Sequence, residues 1–325
     1  MTYKYTAYGI EIQSTKSIAL LPKGDLEAAV DVRIDFAPPD VLENTTLWRD
    51  FLEFNPTSND GPIIQKQDGR IKLRYSRDTN TFVEFVISAT YDHIRVHQTS
   101  DLPEGDALSF LIGPILGLIC RLRGRPCLHA SVLSIKDQAF ALVGPKRAGK
   151  STTAAALLKM GAQLVADDIA VLENNSGQYQ VSPGYPFTRL TQQTIDQLGY
   201  SANGTHRVLS VGDKRYISIE QANLGGFQAK TVPLRAVYAL SRRPKDTGSV
   251  HINPLSEANA VRHLMAHCYA QRLMDTAMQI QDFADMTTLI QHCPVRSVST
   301  PDDLSFLDTL STNILDDFQG QYSYA

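Results

Sequence analysis

The segment Gly144-Pro-Lys-Arg-Ala-Gly-Lys-Ser151 fits the phosphate-binding pattern G-x-x-x-x-G-K-[ST] at every fixed position. Its glycines let successive backbone N–H groups turn inward around phosphate oxygens. Lys150 brings a positive charge to the β- and γ-phosphates, and the Ser151 hydroxyl is a ligand for Mg²⁺. The segment therefore predicts a site for Mg²⁺ and a nucleoside triphosphate, taken to be ATP. The expected nucleotide contacts are Gly144, Arg147, Ala148, Gly149, Lys150, Ser151 and Thr152.

The chain leading into this loop has the pattern of a β-hairpin. Residues 127–135 and 138–143 are two apolar, strand-like runs, and only Lys136 and Asp137 separate them. A connection of two residues joins antiparallel strands. Most phosphate-binding loops instead follow a parallel strand, whose crossover needs about a dozen residues or more. The sequence thus predicts a loop that follows a hairpin, with a helix over residues 152–160 behind it.

Two adjacent carboxylates, Asp167 and Asp168, follow the short apolar run 163–166. The carboxyl end of a buried strand is where an open α/β sheet places its ligands. In enzymes with such loops, one strand-end aspartate holds Mg²⁺, and in kinases a second aspartate accepts the proton of the acceptor hydroxyl. Neighbouring side chains on an extended strand point to opposite sides, so one carboxylate can face the metal and the other the acceptor. The alternative is a polar turn that merely ends the strand.

His129 lies on the first strand of the predicted hairpin, in the run Leu128-His-Ala-Ser131. Because a hairpin returns its chain to the neighbouring strand, the imidazole is expected near the γ-phosphate. A histidine inside a strand is also commonly a structural residue, and this alternative stays open.

The predicted fold class is α/β, with two domains. Residues 1–105 contain short runs of β-branched and aromatic residues between turn-forming clusters, which predict a β-rich accessory domain. A minority alternative is that this domain docks the substrate. Residues 106–325 form the predicted P-loop catalytic domain, which ends in helices over residues 257–273, 275–290 and 302–317.

Composition narrows the classes of partner and compartment. The net charge of −3 gives no electrostatic reason to expect a nucleic-acid partner. The four cysteines include no C-x-x-C pair, and the N-terminus shows no hydrophobic signal region, so we expect a cytoplasmic protein. The apolar run Leu108–Cys120 is shorter than the ~20 residues that span a bilayer and predicts a buried helix, with no membrane partner. A homo-oligomer stays open.

Three motifs together resemble the catalytic half of HPr kinase/phosphorylase: the run around His129, the loop ending at Ser151, and Leu164-Val-Ala-Asp-Asp168. The match covers roughly residues 126–175. In that family a hairpin leads into the loop, and the fold is related to phosphoenolpyruvate carboxykinase. The resemblance implies that Asp167 is the base toward a serine hydroxyl and that Asp168, with Ser151, holds Mg²⁺. It also implies a catalytic place for His129.

The chain departs from that family after residue 175. The Glu-Ile-Arg-Gly core of HPr kinases is absent, and Pro183–Leu190 and the basic segment Val211–Tyr216 stand in its place. This layout resembles the HPr-kinase-like proteins of peptide natural-product clusters, including lasso-peptide kinases, which phosphorylate a serine at the C-terminus of a precursor peptide. The candidates for phosphate or substrate-carboxylate contacts are Arg189, Lys214 and Arg215. Solvated surface charge is the alternative for each.

These observations favour an ATP- and Mg²⁺-dependent kinase acting on a serine of a peptide or protein. Two other classes stay open: a nucleotide-dependent switch that hydrolyses slowly without a specific acceptor, and a small-molecule kinase on the same scaffold. The pair Asp167 and Asp168 favours transfer over a pure switch, because a kinase needs an acceptor-facing base beside its metal ligand.

Overall fold

A computed structural model describes residues 1–37, 50–52, 63–200, 205–241 and 248–322. The chain forms two compact units. The first comprises Met1–Arg123 with the short segment Leu209–Val211, and the second comprises Gly124–Val208 and Gly212–Ala325.

The first unit is built on an eight-stranded sheet, as the β-rich N-terminal pattern predicts. The strand order is β1-β2-β3-β8-β7-β6-β5-β4, with parallel pairing of β2 with β3 and of β3 with β8. The strands are β1 Tyr3–Ala7, β2 Ile10–Ser14, β3 Val32–Phe36, β4 Asp50–Leu52, β5 Ile63–Gln67, β6 Arg70–Ser76, β7 Phe82–Ile87 and β8 His93–Gln98.

The apolar helical segment after the sheet also belongs to the first unit. It consists of α1 (Glu104–Phe110), a π-helical turn at Leu111–Ile115 and α2 (Leu116–Leu122). Within this unit the Tyr8 hydroxyl donates to the Ile112 carbonyl at 3.2 Å, and Phe110 stacks on Tyr75. Because these contacts join the helical segment to the first unit, the boundary between the two units lies at Arg123. The boundary predicted from the sequence was residue 105.

Among the described residues, Glu104–Leu122 is the one helical stretch long and apolar enough to cross a membrane by length and composition. It is longer than the apolar run that predicted it. Some 72% of its most apolar window is buried inside the protein, which is the burial of a core helix.

The second unit contains a nine-stranded mixed sheet and a separate three-stranded sheet. The larger sheet has the order β12-β10-β11-β18-β14-β13-β9, and β20 pairs with both β18 and β19. Its strands are β9 Cys127–Leu128, β10 Ala130–Ile135, β11 Gln138–Val143, β12 Gln163–Ala166, β13 Ala170–Asn175, β14 Gln178–Ser182, β18 Val232–Leu240, β19 His251–Pro254 and β20 Val295–Ser299. The smaller sheet has the order β15-β17-β16, with β15 at Phe187–Thr191, β16 at His206–Arg207 and β17 at Lys214–Ser218.

Helices cover both faces of the larger sheet. They are α3 Lys150–Lys159, α5 Glu257–Ala266, α6 Thr276–His292 and α7 Leu307–Tyr322, while α4 Gln192–Leu198 packs against α3 and β15. Side chains alternate along β11, so Phe140 and Leu142 join a core with α3 and α7, whereas Ala141 and Val143 join a second core with α5 and α6. Burial on both faces explains why this strand is apolar from Ala139 to Val143. The α/β class, the β-rich N-terminal unit and the C-terminal helices are confirmed.

The hairpin prediction is also confirmed. Strands β10 and β11 pair antiparallel from Ala130↔Val143 to Ile135↔Gln138, and β11 runs parallel to β18 on its other side. One detail differs, because the first predicted strand breaks at His129 into β9, which pairs with β13, and β10, which pairs with β11 and β12.

Two helix bounds differ from the predictions for tertiary reasons. The helix predicted to reach residue 273 ends at Ala266, because the next residues pair with the strand before β10: the His129 N–H donates to the His267 carbonyl, and the Tyr269 N–H to the Cys127 carbonyl, both at 2.8 Å. The helix predicted from residue 302 begins at Leu307, since Asp303 caps a separate 3₁₀ turn at Leu304–Phe306.

Candidate active site

A cavity of about 600 Å³ lies in the second unit where the phosphate-binding loop meets the ends of several strands. It has two walls that differ in origin. We call residues 146–152 the loop wall, since they are continuous in sequence. The other lining residues come from separate elements and form what we call the assembled wall: His129, Ser131, Asp167, Asp168, Arg189, Leu190, Thr191, Thr194, Asp213 and Lys214.

The loop wall has the backbone conformation that its glycines permit. Gly144 has φ of +154°, and a Cβ placed there would lie 2.6 Å from the Leu240 carbonyl oxygen, so glycine is required. Gly149 has φ of +94° and directly precedes α3. The first N–H groups of α3 have no partner within the helix, and the helix dipole favours negative charge there. This is the geometry of a phosphate cradle.

Lys150 is the buried cation of the loop wall, with 9% of its surface exposed. Its ammonium donates to the Gly144 carbonyl at 2.7 Å and the Pro145 carbonyl at 3.4 Å. Burial lowers the pKa of Lys150, and Asp168 counteracts that effect. Gly144 is the one predicted loop residue that does not line the cavity. It contributes through the shape of the loop backbone and through its carbonyl, which accepts a hydrogen bond from Lys150.

Asp167 is the more enclosed of the two predicted carboxylates and is held by three hydrogen bonds. The Ser131 hydroxyl donates to one carboxylate oxygen at 2.7 Å. The Thr188 hydroxyl at 3.0 Å and the Arg189 N–H at 2.9 Å donate to the other. Ser131 and Thr188 are themselves buried, which fixes the orientation of this carboxylate at the cavity edge.

Asp168 points away from Asp167 because its backbone is left-handed, with φ of +76°. The predicted reason, an extended strand at both residues, is wrong. Its carboxylate forms an ion pair with the Arg189 guanidinium. The other oxygen lies 3.5 Å from His129 Nδ1. Burial by itself would raise the pKa of Asp168, but Arg189, His129 and Lys214 together lower it to about 2. Asp168 is therefore ionised at neutral pH and paired with the Arg189 guanidinium.

His129 lies beside Asp168, where the strand break places it. Its Nδ1 is 3.1 Å from the Asp168 carbonyl oxygen, which can only accept, so this nitrogen carries the proton in that hydrogen bond. Burial lowers the pKa of His129, and the positive charges of Lys150 and Arg189 add to that effect, against Asp168. The imidazole is neutral at pH 7 under these conditions.

The predicted substrate contacts divide into two groups. Arg189 and Lys214 line the cavity, whereas Arg215 does not: its guanidinium donates to the Gln192 side chain at 3.1 Å and to Thr205 at 3.4 Å. Lys214 is exposed, as are Lys146 and Arg147 on the loop wall. Among the described residues none forms an ion pair with these three cations. The cavity therefore offers unpaired positive charge to an anionic ligand.

The donor set fits Mg²⁺ bound together with a phosphate ligand. The described part of the chain holds no cluster of three or more histidine, cysteine or acidic residues suited to a metal. Mg²⁺ is usually held by one or two carboxylates plus substrate phosphates, and it prefers oxygen donors. Asp168 and the Ser151 hydroxyl line the same cavity and supply such donors.

Sequence reasoning missed several polar residues of this site. Ser131 follows His129 by two positions, and that spacing was a usable signal, since alternate residues on a strand share a face. Lys146 lies inside the loop motif itself. Thr188 had no signal in the sequence. A chain of hydroxyls, Thr152 to Thr194 at 3.2 Å and Thr194 to Thr191 at 3.0 Å, also links α3 to the N-terminus of α4 and was not predicted.

Similarity to known proteins is found among solved structures. No protein-family model matches the chain, and no curated protein matches it. Among solved structures that do match is one described as the Hpr(Ser) kinase/phosphatase from Coxiella burnetii, at 15% identity and a TM-score of 0.33. That match covers 61% of this chain and 94% of the other. The fold and site described above define a P-loop α/β protein.

Proposed function

We propose that this protein is an ATP- and Mg²⁺-dependent kinase that phosphorylates a serine hydroxyl of a peptide or protein in the cytoplasm. One observation carries the proposal: Lys150, Ser151, Asp167 and Asp168 line a single cavity with unpaired cations at hand. Phosphoryl transfer requires little covalent chemistry from the protein and depends on positioning and electrostatic stabilisation. This site supplies both.

The proposed roles follow from the contacts of each group. Lys150 and the loop N–H groups hold the donor phosphates, and Ser151 with Asp168 holds Mg²⁺, which neutralises charge on the phosphate oxygens when bound. Asp167, oriented by Ser131 and Thr188, receives the serine proton. The serine oxygen then bonds to the γ-phosphorus as the bond to the β-phosphate's bridging oxygen breaks. His129 and Lys214 add positive or polar contacts around the transferred group.

The acceptor is proposed to be the C-terminal serine of a ribosomal natural-product precursor peptide, of the lasso type. Support comes from the resemblance in layout and from Lys214, an exposed cation that lines the cavity and suits a carboxylate next to the serine. In this proposal, side chains on β15 and β17 contact the acceptor in place of the HPr-kinase segment that the sequence lacks.

Phosphate transfer to a synthetic peptide tests this proposal. With Mg²⁺ and ATP, a peptide that ends in serine should gain one phosphate by mass spectrometry, and the same peptide with an amidated C-terminus should react more slowly. A peptide with alanine in place of the serine is the control. Efficient phosphorylation of HPr without any reaction on serine-terminated peptides would contradict the proposed acceptor. ATP hydrolysis without transfer to either substrate would favour a nucleotide switch.

A further inference from the structure

Arg189 contacts both acidic residues of the site at once. Its backbone N–H donates to Asp167 at 2.9 Å, and its guanidinium forms the ion pair with Asp168. The side chain is largely buried, with 12% of its surface exposed. A single residue on β15 therefore holds the two carboxylates that the proposed function assigns to the acceptor and to the metal.

The same contacts place a cation on the carboxylate that the proposed function assigns to Mg²⁺. Arg189 takes one carboxylate oxygen, and His129 faces the other at 3.5 Å. Lys150, the other cation expected at the phosphates, donates instead to loop carbonyls. In this arrangement Arg189 and Lys150 are both paired with protein oxygens. A carboxylate oxygen that binds a guanidinium closely cannot bind a divalent cation in the same direction, because the two positive charges would repel at contact distance.

We propose that Arg189 exchanges partners during the reaction. In the absence of a divalent cation its guanidinium pairs with Asp168; with a cation held by that carboxylate, the guanidinium would turn to the oxygens of the transferred phosphoryl group. This inference rests on the proposed function, because it deepens the account of the same site.

The chemistry of the guanidinium suits both states. Its planar fork of N–H donors binds carboxylate and phosphate oxygens with the same bidentate geometry. The backbone N–H of Arg189 stays on Asp167 throughout, so the side chain moves while β15 keeps its place. The exchange couples the cation to the phosphate contact, and Arg189 is available to the phosphoryl group only after Asp168 has been occupied.

Cation binding without nucleotide or acceptor tests the exchange directly. Mn²⁺, followed by electron paramagnetic resonance, serves as the probe in the full chain. Arg189→Gln should bind Mn²⁺ more tightly than the wild type, by about 5- to 150-fold, the range typical of a coupling free energy between two binding events in one protein. Phosphotransfer by the same variant should nevertheless fall, because the guanidinium is missing from the transferred group.

A matched control distinguishes the loss of the Arg189–Asp168 ion pair from the loss of one positive charge. Arg215→Gln removes the same charge from the neighbouring strand β17, outside the cavity, and should change Mn²⁺ affinity far less. Should Arg189→Gln fail to fold, as judged by thermal melting, Arg189→Lys applies, and its misfitted cation should raise Mn²⁺ affinity by a smaller factor. A folded variant with Mn²⁺ affinity equal to or below that of the wild type would overturn the exchange. The Mn²⁺ titration needs no acceptor, so absence of phosphotransfer in the wild type contradicts the proposed function separately.

Discussion

The two walls of the cavity are built in different ways. The loop wall consists of consecutive residues, and its shape follows from glycines at fixed positions and the start of α3. The assembled wall draws Ser131, Asp167, Arg189 and Lys214 from four separate strands or strand ends. The loop wall could therefore be predicted from a motif, whereas the assembled wall depends on which strands the fold brings together.

The two walls also differ in the partners of their polar side chains. Lys150 on the loop wall donates to backbone carbonyls of its own loop. Polar side chains of the assembled wall instead bind one another, through Ser131 on Asp167 and Arg189 on Asp168. We infer that the loop wall supplies affinity for the donor and that the assembled wall supplies the acceptor chemistry.

The largest expected effect is a loss of transfer when Asp167 is replaced. Asp167→Asn should lower the phosphotransfer rate by about 10²- to 10⁴-fold, the range for loss of a general base, while Mg-ATP affinity changes little. The amide keeps one oxygen for Thr188 and Arg189, so the protein should remain folded. Single-turnover kinetics measures the transfer rate, and calorimetry measures the affinity for Mg-ATP. A variant that transfers phosphate at the wild-type rate would remove Asp167 from the chemistry.

A smaller effect distinguishes neighbouring cations on β17. Lys214→Glu should slow phosphotransfer by as much as about 30-fold, since reversing an exposed charge near an anion costs up to about 2 kcal/mol, twice the value of one exposed ion pair. The difference should shrink at high salt, because the interaction is screened. Arg215→Glu is the matched control, and its effect should be within about twofold, since Arg215 does not line the cavity. Equal effects of both changes would mean that only net charge matters.

The smallest effect concerns acid stability near the loop wall. Burial, with Lys150 and His129, lowers the pKa of His267 from about 6.5 to about 4. Between these values the unfolded chain binds a proton that the folded protein does not, so this group reduces stability as the pH falls. His267 is partly exposed, so solvent screening limits this loss to the order of 1 kcal/mol. His267→Gln should flatten the decline in the free energy of unfolding between pH 6.5 and 4, measured with urea. An unchanged slope would contradict this assignment.

The sequence predicted the features that depend on local patterns. The α/β class, the hairpin before the loop and the β-rich first unit all follow from short periodic runs and turn residues. The break at His129 was not predictable, because it arises where β9 and β10 pair with different strands. The left-handed backbone at Asp168 was not predicted either: aspartate adopts this conformation more often than most residues, but it is uncommon for any residue other than glycine, and the polar turn stood only as the alternative.

In the candidate site, too, residues could be predicted one by one from local motifs, but not the way the fold brings them together. Asp167, Asp168, Arg189 and Lys214 were named as separate candidates, and the structure brings all four to one cavity, together with His129. Arg215 was named for the same reason as Lys214, yet adjacent residues on a strand point to opposite sides, and only one of the pair reaches the cavity. Thr188 was missed because its role depends on β15 lying beside Asp167, a contact between residues 21 positions apart.

Calorimetric binding of Mg-ATP to Lys150→Ala is the most direct test that the cavity is a nucleotide site. Lys159→Ala is its control, since Lys159 lies in the last turn of the same helix and donates to the Leu198 carbonyl. The account predicts that Lys150→Ala stays folded and loses about 10²- to 10³-fold in affinity or transfer, as expected for one preorganised cation, whereas Lys159→Ala behaves as the wild type. A folded Lys150→Ala protein that binds and turns over Mg-ATP as the wild type does would contradict it.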